Sequence, residues 1–250
     1  MVTYGLIGYP LTNSWSELYF AEKFRKSQRT GTRYINFPLT SPGQLSELLS
    51  FHKDIMGLNV TIPYKVKIIP FLNSLDETAA RIGAVNTILI SRREGQIITR
   101  GYNTDAYGFQ NSADFSGHRN ALLLGTGGAA KAVSHALSAM GISWQFVSRS
   151  RQGDHTLNYK DLTPSVISDH TLIINATPVG SYPGIGASPG IPYSAVSNRH
   201  FLYDLIYYPE ITVFLSEGIC RDAHVQNGLK MLQVQAEESL RIWDGQKNDF

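Results

Sequence analysis

The 250-residue sequence has almost no cysteine and no long apolar run, and Cys220 is its one thiol. A single cysteine excludes an intrachain disulfide framework and a thiolate metal cluster, which suits a reducing compartment such as the cytoplasm. No run approaches the roughly 20 apolar residues that a membrane-spanning helix needs. The first nine residues lack the basic segment of a signal peptide and lead directly to Pro10. We therefore expect a cytoplasmic protein that does not enter the membrane.

Strong charge of either sign is also missing, because the formal net charge is +2 and charged residues make up 17% of the chain. Such a balance offers no electrostatic case for binding nucleic acid or a membrane surface. The seven histidines show no ligand-like spacing, so no metal site is expected. A globular protein with a small-molecule partner fits this composition, and both a monomer and a homodimer are compatible with it.

Short apolar runs alternate with amphipathic segments along the whole chain. This alternation predicts the α/β class, with mostly parallel sheets covered by helices. The predicted strands are Tyr4–Ile7, Tyr34–Phe37, Gly57–Val60, Thr87–Ile90, Ile97–Arg100, Ala121–Leu124, Gln145–Val147, Leu172–Asn175 and Phe201–Leu205. The predicted helices are Ser16–Lys26, Leu45–His52, Asp105–Ala113, Ala129–Met140 and Leu229–Trp243. A Gly-, Pro- and Ser-rich stretch, Gly180–Pro192, is predicted to be an irregular loop.

A glycine-rich loop follows the predicted strand Ala121–Leu124 and precedes a helical pattern. Its sequence is Gly125-Thr126-Gly127-Gly128-Ala129-Ala130, which has the G-x-G-x-x-A form of a dinucleotide site. The first glycine permits a tight turn, and the second lets the backbone approach a pyrophosphate at the helix N-terminus. A plain strand-to-helix turn also explains many isolated matches. The flanking strand and helix favour the dinucleotide interpretation.

The following strand ends in Val147-Ser148-Arg149-Ser150-Arg151. A domain that binds NAD usually places Asp or Glu near this position, about 20 residues past the glycines, to hold the ribose hydroxyls. Here arginines stand instead of a carboxylate. An arginine fork suits a phosphate, although a pair of solvated surface arginines is the alternative. The segment favours NADP as the cofactor.

Three further segments concentrate polar residues at predicted strand ends, namely Asn59–Lys65, Gly83–Thr87 and Gly101–Asp105. Taken singly, their residues have structural explanations. Asn103 or Thr104 could cap a helix, and Asp105 could be a first-turn acid that favours the helix dipole. Upstream of these segments, Ser14 and Glu17 have the spacing of a capping box. Spacing alone leaves a structural and a functional interpretation open.

The joint occurrence of these segments, in this order, resembles the shikimate dehydrogenase family over almost the whole chain. The matching segments are Gly8–Leu11 with Ser14 and Ser16, Asn59–Lys65, Gly83–Thr87, Asn103–Asp105, Gly125–Ala129, Asn175–Gly180, Asp204–Pro209, Met231–Leu232 and Gln235–Ala236. The resemblance implies two α/β domains. Residues 1–104 and 226–250 would form a substrate-binding catalytic domain, to which the last helix returns. Residues 105–225 would form a Rossmann-like NADP-binding domain.

The activity that this resemblance implies is the reversible NADPH-dependent reduction of 3-dehydroshikimate to shikimate, a step of aromatic amino-acid biosynthesis. Lys65 and Asp105 match the family's catalytic pair, and either could be the formal base. The implied substrate-binding residues are Ser14, Ser16, Thr61, Lys65, Asn86, Asp105, Tyr207 and Gln235. The implied cofactor-binding residues are Gly125, Thr126, Gly127, Gly128, Ala129, Ser148, Arg149, Ser150, Thr177, Leu205, Gly228 and Met231.

The chain departs from the family pattern near both expected sites. The departures are Asn13, Glu17 and Phe20-Ala21 beside the two serines, Ser148 and Gly153 near the adenosine phosphate, and Lys230 near the nicotinamide. They keep two alternatives open. One is a quinate/shikimate dehydrogenase with broader substrate or NAD use. The other is a related sensor without turnover, which the intact Lys65 and Asp105 disfavour.

Overall fold

The computed structural model describes residues 1–11, 14–150, 153 and 155–245, and its elements follow the apolar runs of the sequence. The strands are β1 Val2–Gly8, β2 Thr32–Pro38, β3 Ile55–Val60, β4 Ser74–Leu75, β5 Thr87–Arg93, β6 Gln96–Tyr102, β7 Asn120–Leu124, β8 Ser143–Ser148, β9 Thr156–Asn158, β10 Leu172–Asn175, β11 Phe201–Asp204 and β12 His224–Gln226. The helices are α1 Trp15–Lys26, α2 Leu45–Phe51, α3 Glu77–Ile82, α4 Asp105–Gln110, α5 Gly128–Ala139, α6 Pro164–Asp169, α7 Val213–Ile219 and α8 Leu229–Gly245.

Every strand and helix predicted from the sequence corresponds to one of these elements, with ends that differ by a few residues. The elements that the sequence did not reveal are β4, β9, β12, α3, α6 and α7. Each of them has seven residues or fewer. Gly180–Pro192 has no helix or strand, as predicted.

The chain divides into two units. The first contains Met1–Thr104 and the chain from Ala236 onward, and the second contains Asp105–Gln235. The sequence-based boundaries differ, because they assigned residues 226–235 to the first unit. In the structure these residues end β12, which pairs with β11, and begin α8, where the Gly228 amide donates to the Ile206 carbonyl at 3.0 Å. Helix α8 thus starts in one unit and ends in the other.

Among the described residues, the first unit has a six-stranded sheet in the order β2-β1-β3-β5-β6-β4. It is mixed, since β5 runs antiparallel to both β3 and β6, whereas the sequence led us to expect mostly parallel strands. The reason is local. Glu94 and Gly95 connect β5 directly to β6, and both have positive φ, of 50° and 79°. Two such residues form the tight turn of a β-hairpin.

Two apolar layers cover this sheet. Ile7, Leu58 and Ile88 belong to the layer that contains α2, whereas Tyr4 belongs to the opposite layer with α1 and the end of α8. In that second layer Trp243 stacks on Tyr4 with ring centroids 4.6 Å apart. A Cβ at residue 57 of β3 would overlap the indole, so glycine is required there. The close approach anchors the end of α8 on the first sheet.

The second unit has a six-stranded parallel sheet in the order β12-β11-β10-β7-β8-β9, counted over the described residues. Its central strands read as unbroken apolar runs, and Leu122, Ile173 and Leu202 are fully buried, as expected of a parallel sheet covered on both faces. The chain passes from β7 outward through β8 and β9, then returns to β10 on the other side of β7. In open α/β sheets, ligands bind at such a reversal, outside the carboxyl ends of the strands.

Candidate active site

The glycine-rich loop joins β7 to α5 at this reversal. Gly125 has a φ of +103°, and its amide donates to the Val147 carbonyl at 2.8 Å. A Cβ added to Gly125 would lie 3.0 Å from the Thr177 side chain, whereas one added to Gly127 would meet no atom within 4 Å. Gly125 therefore allows a tight turn beside the residues that follow β10. Gly127 leaves open space above the backbone, as close approach of a phosphate requires.

The N-terminus of α5 carries no side-chain cap and no acidic residue in its first turn. Its first amides are consequently available to an anion, which the helix dipole also favours. Ala130, two residues into the helix, is fully buried and lets the helix lie close to the sheet. The loop, including Thr126, Gly128 and Ala129, thus fits the phosphate site that the sequence predicted.

Thr177 lies at the carboxyl end of β10, opposite the loop. Its hydroxyl donates to the Asn175 side-chain oxygen at 2.6 Å, and its amide donates to the same oxygen at 3.1 Å. The Asn175 amide group in turn donates to the carboxylate of Asp204 at 3.1 Å. Adjacent strands β10 and β11 are therefore tied together at the point where they end.

Asp204 is fully buried and makes three hydrogen bonds. Its carboxylate accepts from Asn175, from the Ile206 amide at 3.0 Å and from the Thr212 hydroxyl at 2.6 Å. Burial raises the pKa of Asp204 to about 6, although these three donors oppose the rise. We call Asp204, Asn175, Thr177 and Thr212 the carboxylate cluster. The sequence had marked Asp204 and Asn175 only as parts of matching segments.

Leu205 and Gly228, predicted near the nicotinamide, contact each other in the second unit. A Cβ at residue 228 would overlap the carbonyl of Leu205, so only glycine permits this approach. Met231 follows within the first turn of α8 and is buried. Lys230, which departs from the family pattern, lies between Gly228 and Met231 in the chain.

The predicted adenosine-phosphate segment follows β8. The Ser148 hydroxyl accepts from the Ser150 amide at 3.4 Å, and the Asn158 side chain holds the Arg149 carbonyl at 2.8 Å. These bonds form a turn that leaves the Arg149 side chain exposed. Within the described part of the chain, no carboxylate pairs with its guanidinium. Arg151, which the sequence offered as a second cation, lies outside the described residues.

In the first unit, Thr61 and Lys65 lie on the turn that follows β3. The Tyr64 amide donates to the Thr61 carbonyl at 2.9 Å, and the buried Tyr64 hydroxyl donates to the Leu39 carbonyl at 2.6 Å. The Lys65 carbonyl accepts from the Val85 amide at 2.7 Å. The turn is thus fixed on both sides, and Lys65 itself is half-buried.

Asn86 precedes β5 and is held by the residue just before α4. Its side-chain nitrogen donates to the Thr104 hydroxyl at 2.9 Å, and its side-chain oxygen accepts from the Thr104 amide at 2.7 Å. Both side chains are almost completely buried. Two residues missing from the sequence-based site, Tyr34 and Ser239, join the same network. Polar types within an otherwise apolar stripe are the only signal that the sequence carried for them.

Ser14 and Ser16 lie at the start of α1. Ser14 occupies the N-cap position without a side-chain cap bond, and Glu17 instead accepts from the Asn36 side chain at 2.6 Å. The capping-box alternative is therefore wrong. Phe20 is fully buried in the core, and Asn13 lies outside the described residues.

The remaining predicted substrate residues belong to the second unit. Asp105 is the buried first residue of α4, and Gln235 lies on α8 at the end of that unit. One turn after Asp105, a Cβ at residue 108 would lie 2.8 Å from the Gln235 side chain. The two helices therefore pack closely. Tyr207 follows β11 and is 38% exposed.

Across residues 1–11, 14–150, 153 and 155–245, no group of three or more His, Cys, Asp or Glu side chains is arranged to hold a metal ion. In the same stretch of chain, no helix has the length and apolar character to span a membrane.

The parallel sheet, its reversal between β7 and β10 and the open glycine loop define the second unit as a Rossmann-like dinucleotide-binding fold. Residues 6–88 of the first unit match the family model described as the shikimate dehydrogenase substrate binding domain. The shikimate dehydrogenase (NADP(+)) of Methanococcus vannielii is 34% identical to this chain, over 99% of this chain and 93% of the relative. The chain belongs to the shikimate dehydrogenase family.

Solved structures agree over both units. Shikimate 5-dehydrogenase from Thermus thermophilus, in complex with NADP(H) and shikimate, is 31% identical with a TM-score of 0.82, covering 98% of this chain and 94% of that one. Quinate dehydrogenase from Corynebacterium glutamicum, in complex with NAD, is 25% identical with a TM-score of 0.85 and the same two coverages. Two α/β domains, with the Rossmann-like one second, are confirmed as the fold.

Proposed function

We propose that this chain catalyses the reversible NADPH-dependent reduction of 3-dehydroshikimate to shikimate. The observation that carries the proposal is its similarity, over nearly the full length, to a relative named as NADP-dependent shikimate dehydrogenase. The open glycine loop and the arginine at the end of β8 support the choice of cofactor. The fixed turn that presents Lys65 supports the choice of reaction.

Oxidation of a secondary alcohol removes a hydride and a proton. NADP, when bound, supplies the hydride acceptor. Lys65 is proposed to exchange the proton of the reacting hydroxyl, and Asp105 is proposed to accept a hydrogen bond from substrate and to orient it. Either group can act as the formal base. Both residues keep their family identity in this chain, which disfavours a sensor without turnover.

The proposed substrate contacts divide by chemistry. Hydroxyls of Ser14, Ser16 and Tyr207 bind the substrate carboxylate, and the polar groups of Thr61, Asn86 and Gln235 bind the ring hydroxyls. A site of this kind discriminates strongly, because a wrong substrate leaves buried polar groups unpaired. The proposed compartment is the cytoplasm, given the single Cys220, and the proposed assembly is a monomer or a homodimer.

The test is nicotinamide reduction by the purified protein, with shikimate or quinate crossed against NADP and NAD. Turnover confined to shikimate with NADP is expected. Turnover with quinate or NAD would favour the alternative that the Corynebacterium glutamicum relative represents, a dehydrogenase of broader specificity. Absence of turnover by folded protein that still binds NADP would overturn the proposed function and favour a sensor.

A further inference from the structure

Six buried polar side chains of the first unit form a continuous set of hydrogen bonds. They are Tyr34, Asn59, Asn86, Thr87, Thr104 and Ser239, each with less than a tenth of its surface exposed. We call this set the amide–hydroxyl chain. It contains no charged group, and its members come from β2, β3, the start of β5 with the residue before it, the residue before α4, and α8. It is therefore a tertiary feature that depends on the packing of the whole unit.

Asn59 is the central member. Its side-chain oxygen accepts from the Tyr34 hydroxyl at 2.8 Å, and its nitrogen donates to Ser239 at 3.0 Å and to Thr87 at 3.2 Å. The same nitrogen lies 3.3 Å from the Asn86 carbonyl oxygen. A flipped amide would bring two oxygens together there, so the orientation of Asn59 is fixed.

One end of the chain is the Tyr34 hydroxyl on β2. Burial raises the pKa of that phenol above its ordinary value. Tyr34 consequently stays protonated and continues to donate to Asn59.

The other end reaches the proposed ring-hydroxyl site. The Ser239 hydroxyl lies 2.8 Å from that of Thr87 and 3.2 Å from that of Thr104. Thr104 in turn forms hydrogen bonds with both the nitrogen and the oxygen of the Asn86 side chain. Ser239 is fully buried and acts through these neighbours. Thr104 is also the residue that precedes Asp105.

We infer that Tyr34 and Ser239 are positioning residues, which act through Asn59 and Thr104 to hold Asn86 where it recognises a ring hydroxyl of the substrate. The inference rests on the proposed function for the role of Asn86. Side chains whose rotamers are held by hydrogen bonds behind them lose less entropy when the ligand binds. Loss of either positioning hydroxyl weakens substrate binding and has little effect on the cofactor, whose proposed contacts belong to the other unit.

The experiment compares Tyr34→Phe, Ser239→Ala and the double variant in steady-state kinetics. Each single variant is expected to raise KM for shikimate about 10-fold, because the side chains that hold Asn86 lose a buried hydrogen bond. The kcat should change less than about 3-fold, and KM for NADP should stay unchanged. Since both hydroxyls bond to the Asn59 side chain, the double variant should raise KM about 10- to 30-fold, which is less than the product of the two single effects.

Thr99→Val is the matched control. Thr99 is also buried in the first unit, and its hydroxyl donates to the Asn73 side chain at 2.8 Å, outside the amide–hydroxyl chain. This variant should lower the unfolding midpoint while leaving KM for shikimate unchanged. Single variants with normal KM, or effects that multiply in the double variant, would overturn the inference alone. A wild-type protein that does not turn over shikimate would overturn the proposed function and the inference together.

Discussion

The two units each bury polar side chains near the carboxyl ends of their central strands, but the two groups differ in charge. The amide–hydroxyl chain of the first unit is neutral. The carboxylate cluster of the second unit is built on Asp204, whose pKa burial raises to about 6. Both groups hold residues proposed to touch a ligand, since Thr104 holds Asn86 and Asn175 holds Thr177.

The difference in charge between the two groups determines where pH can act on the protein. A neutral network keeps the same hydrogen bonds across the physiological range, because amides and hydroxyls do not titrate there. A buried carboxylate with a raised pKa stays protonated up to its folded-state pKa and is ionised above it. The amide–hydroxyl chain behind the proposed substrate residues therefore keeps its hydrogen bonds as pH changes. The carboxylate cluster behind the proposed cofactor residues contains a group that titrates.

The largest expected effect is a loss of turnover when Lys65 of the first unit is replaced. Lys65→Ala should lower turnover about 10²- to 10⁴-fold, the usual range for a lost acid–base group, while NADP binding to the second unit stays normal. Steady-state kinetics and a cofactor titration measure the two effects. Lys67→Ala, which changes an exposed lysine two residues further on, is the control. Near-normal turnover of the Lys65 variant would remove this residue from the mechanism.

Placing a carboxylate in the neutral network should be the next largest effect. In Asn59→Asp, an oxygen would replace the nitrogen that donates to Ser239 and Thr87, so the ionised form costs about 3 kcal/mol. Because the folded-state pKa of the new acid is raised, stability is retained at low pH and lost as pH rises through that pKa. Urea unfolding at pH 5 and pH 8 measures the change.

Asn73→Asp is the matched control for this substitution. The Asn73 side-chain oxygen accepts from the Thr99 amide and hydroxyl, both at 2.8 Å, and a carboxylate accepts equally well. Its stability should depend little on pH. If the variants at positions 59 and 73 behaved alike, the amide–hydroxyl chain would not differ from other buried amides in its cost for a charge.

Removing the carboxylate of Asp204 should make stability less dependent on pH, which is the reverse of the effect expected for Asn59→Asp. The folded-state pKa of Asp204 is raised from 3.8 to about 6, so its contribution to stability is complete below pH 4 and is lost as pH rises through 6. In Asp204→Asn this loss, on the order of 2 kcal/mol, should be absent. Thermal unfolding from pH 4 to 7.5 shows the slope. Equal slopes in both proteins would contradict the assignment.

The smallest expected effect concerns cofactor choice. Arg149→Ala should raise KM for NADP about 10-fold, because an exposed phosphate contact is lost, and leave KM for NAD unchanged. Arg199→Ala removes another exposed arginine of the second unit and should affect neither. Equal losses for both cofactors in the Arg149 variant would exclude a phosphate contact.

Much of the second unit was predictable, whereas the first was less so. The run Ala121–Leu124, the glycines after it and the helical pattern that follows are contiguous, and the structure has them as a strand, a turn and a helix. The β5–β6 hairpin depends on two residues with positive φ, and short elements such as β12 depend on neighbouring strands. Local sequence patterns carry little information about either.

The residues of the candidate site likewise divide into those that the sequence identified and those that only the structure revealed. Lys65, Asn86 and Thr177 lie in short segments that match the family pattern. The sequence carries no comparable mark for Tyr34 and Ser239, which interact with Asn59 from positions 25 and 180 residues away. A hydrogen bond between such distant residues forms only when the intervening chain has packed.

The sequence by itself determined the alternation of strands and helices and the glycine turn, because these follow from local backbone preference and periodicity. The residues that carry the proposed chemistry were identified through the resemblance to the family. Only the tertiary structure decided that the first sheet is mixed and that α8 begins in one unit and ends in the other. It also decided that one buried group of polar residues is neutral while the other is acidic, since burial and long-range pairing set the state of each side chain.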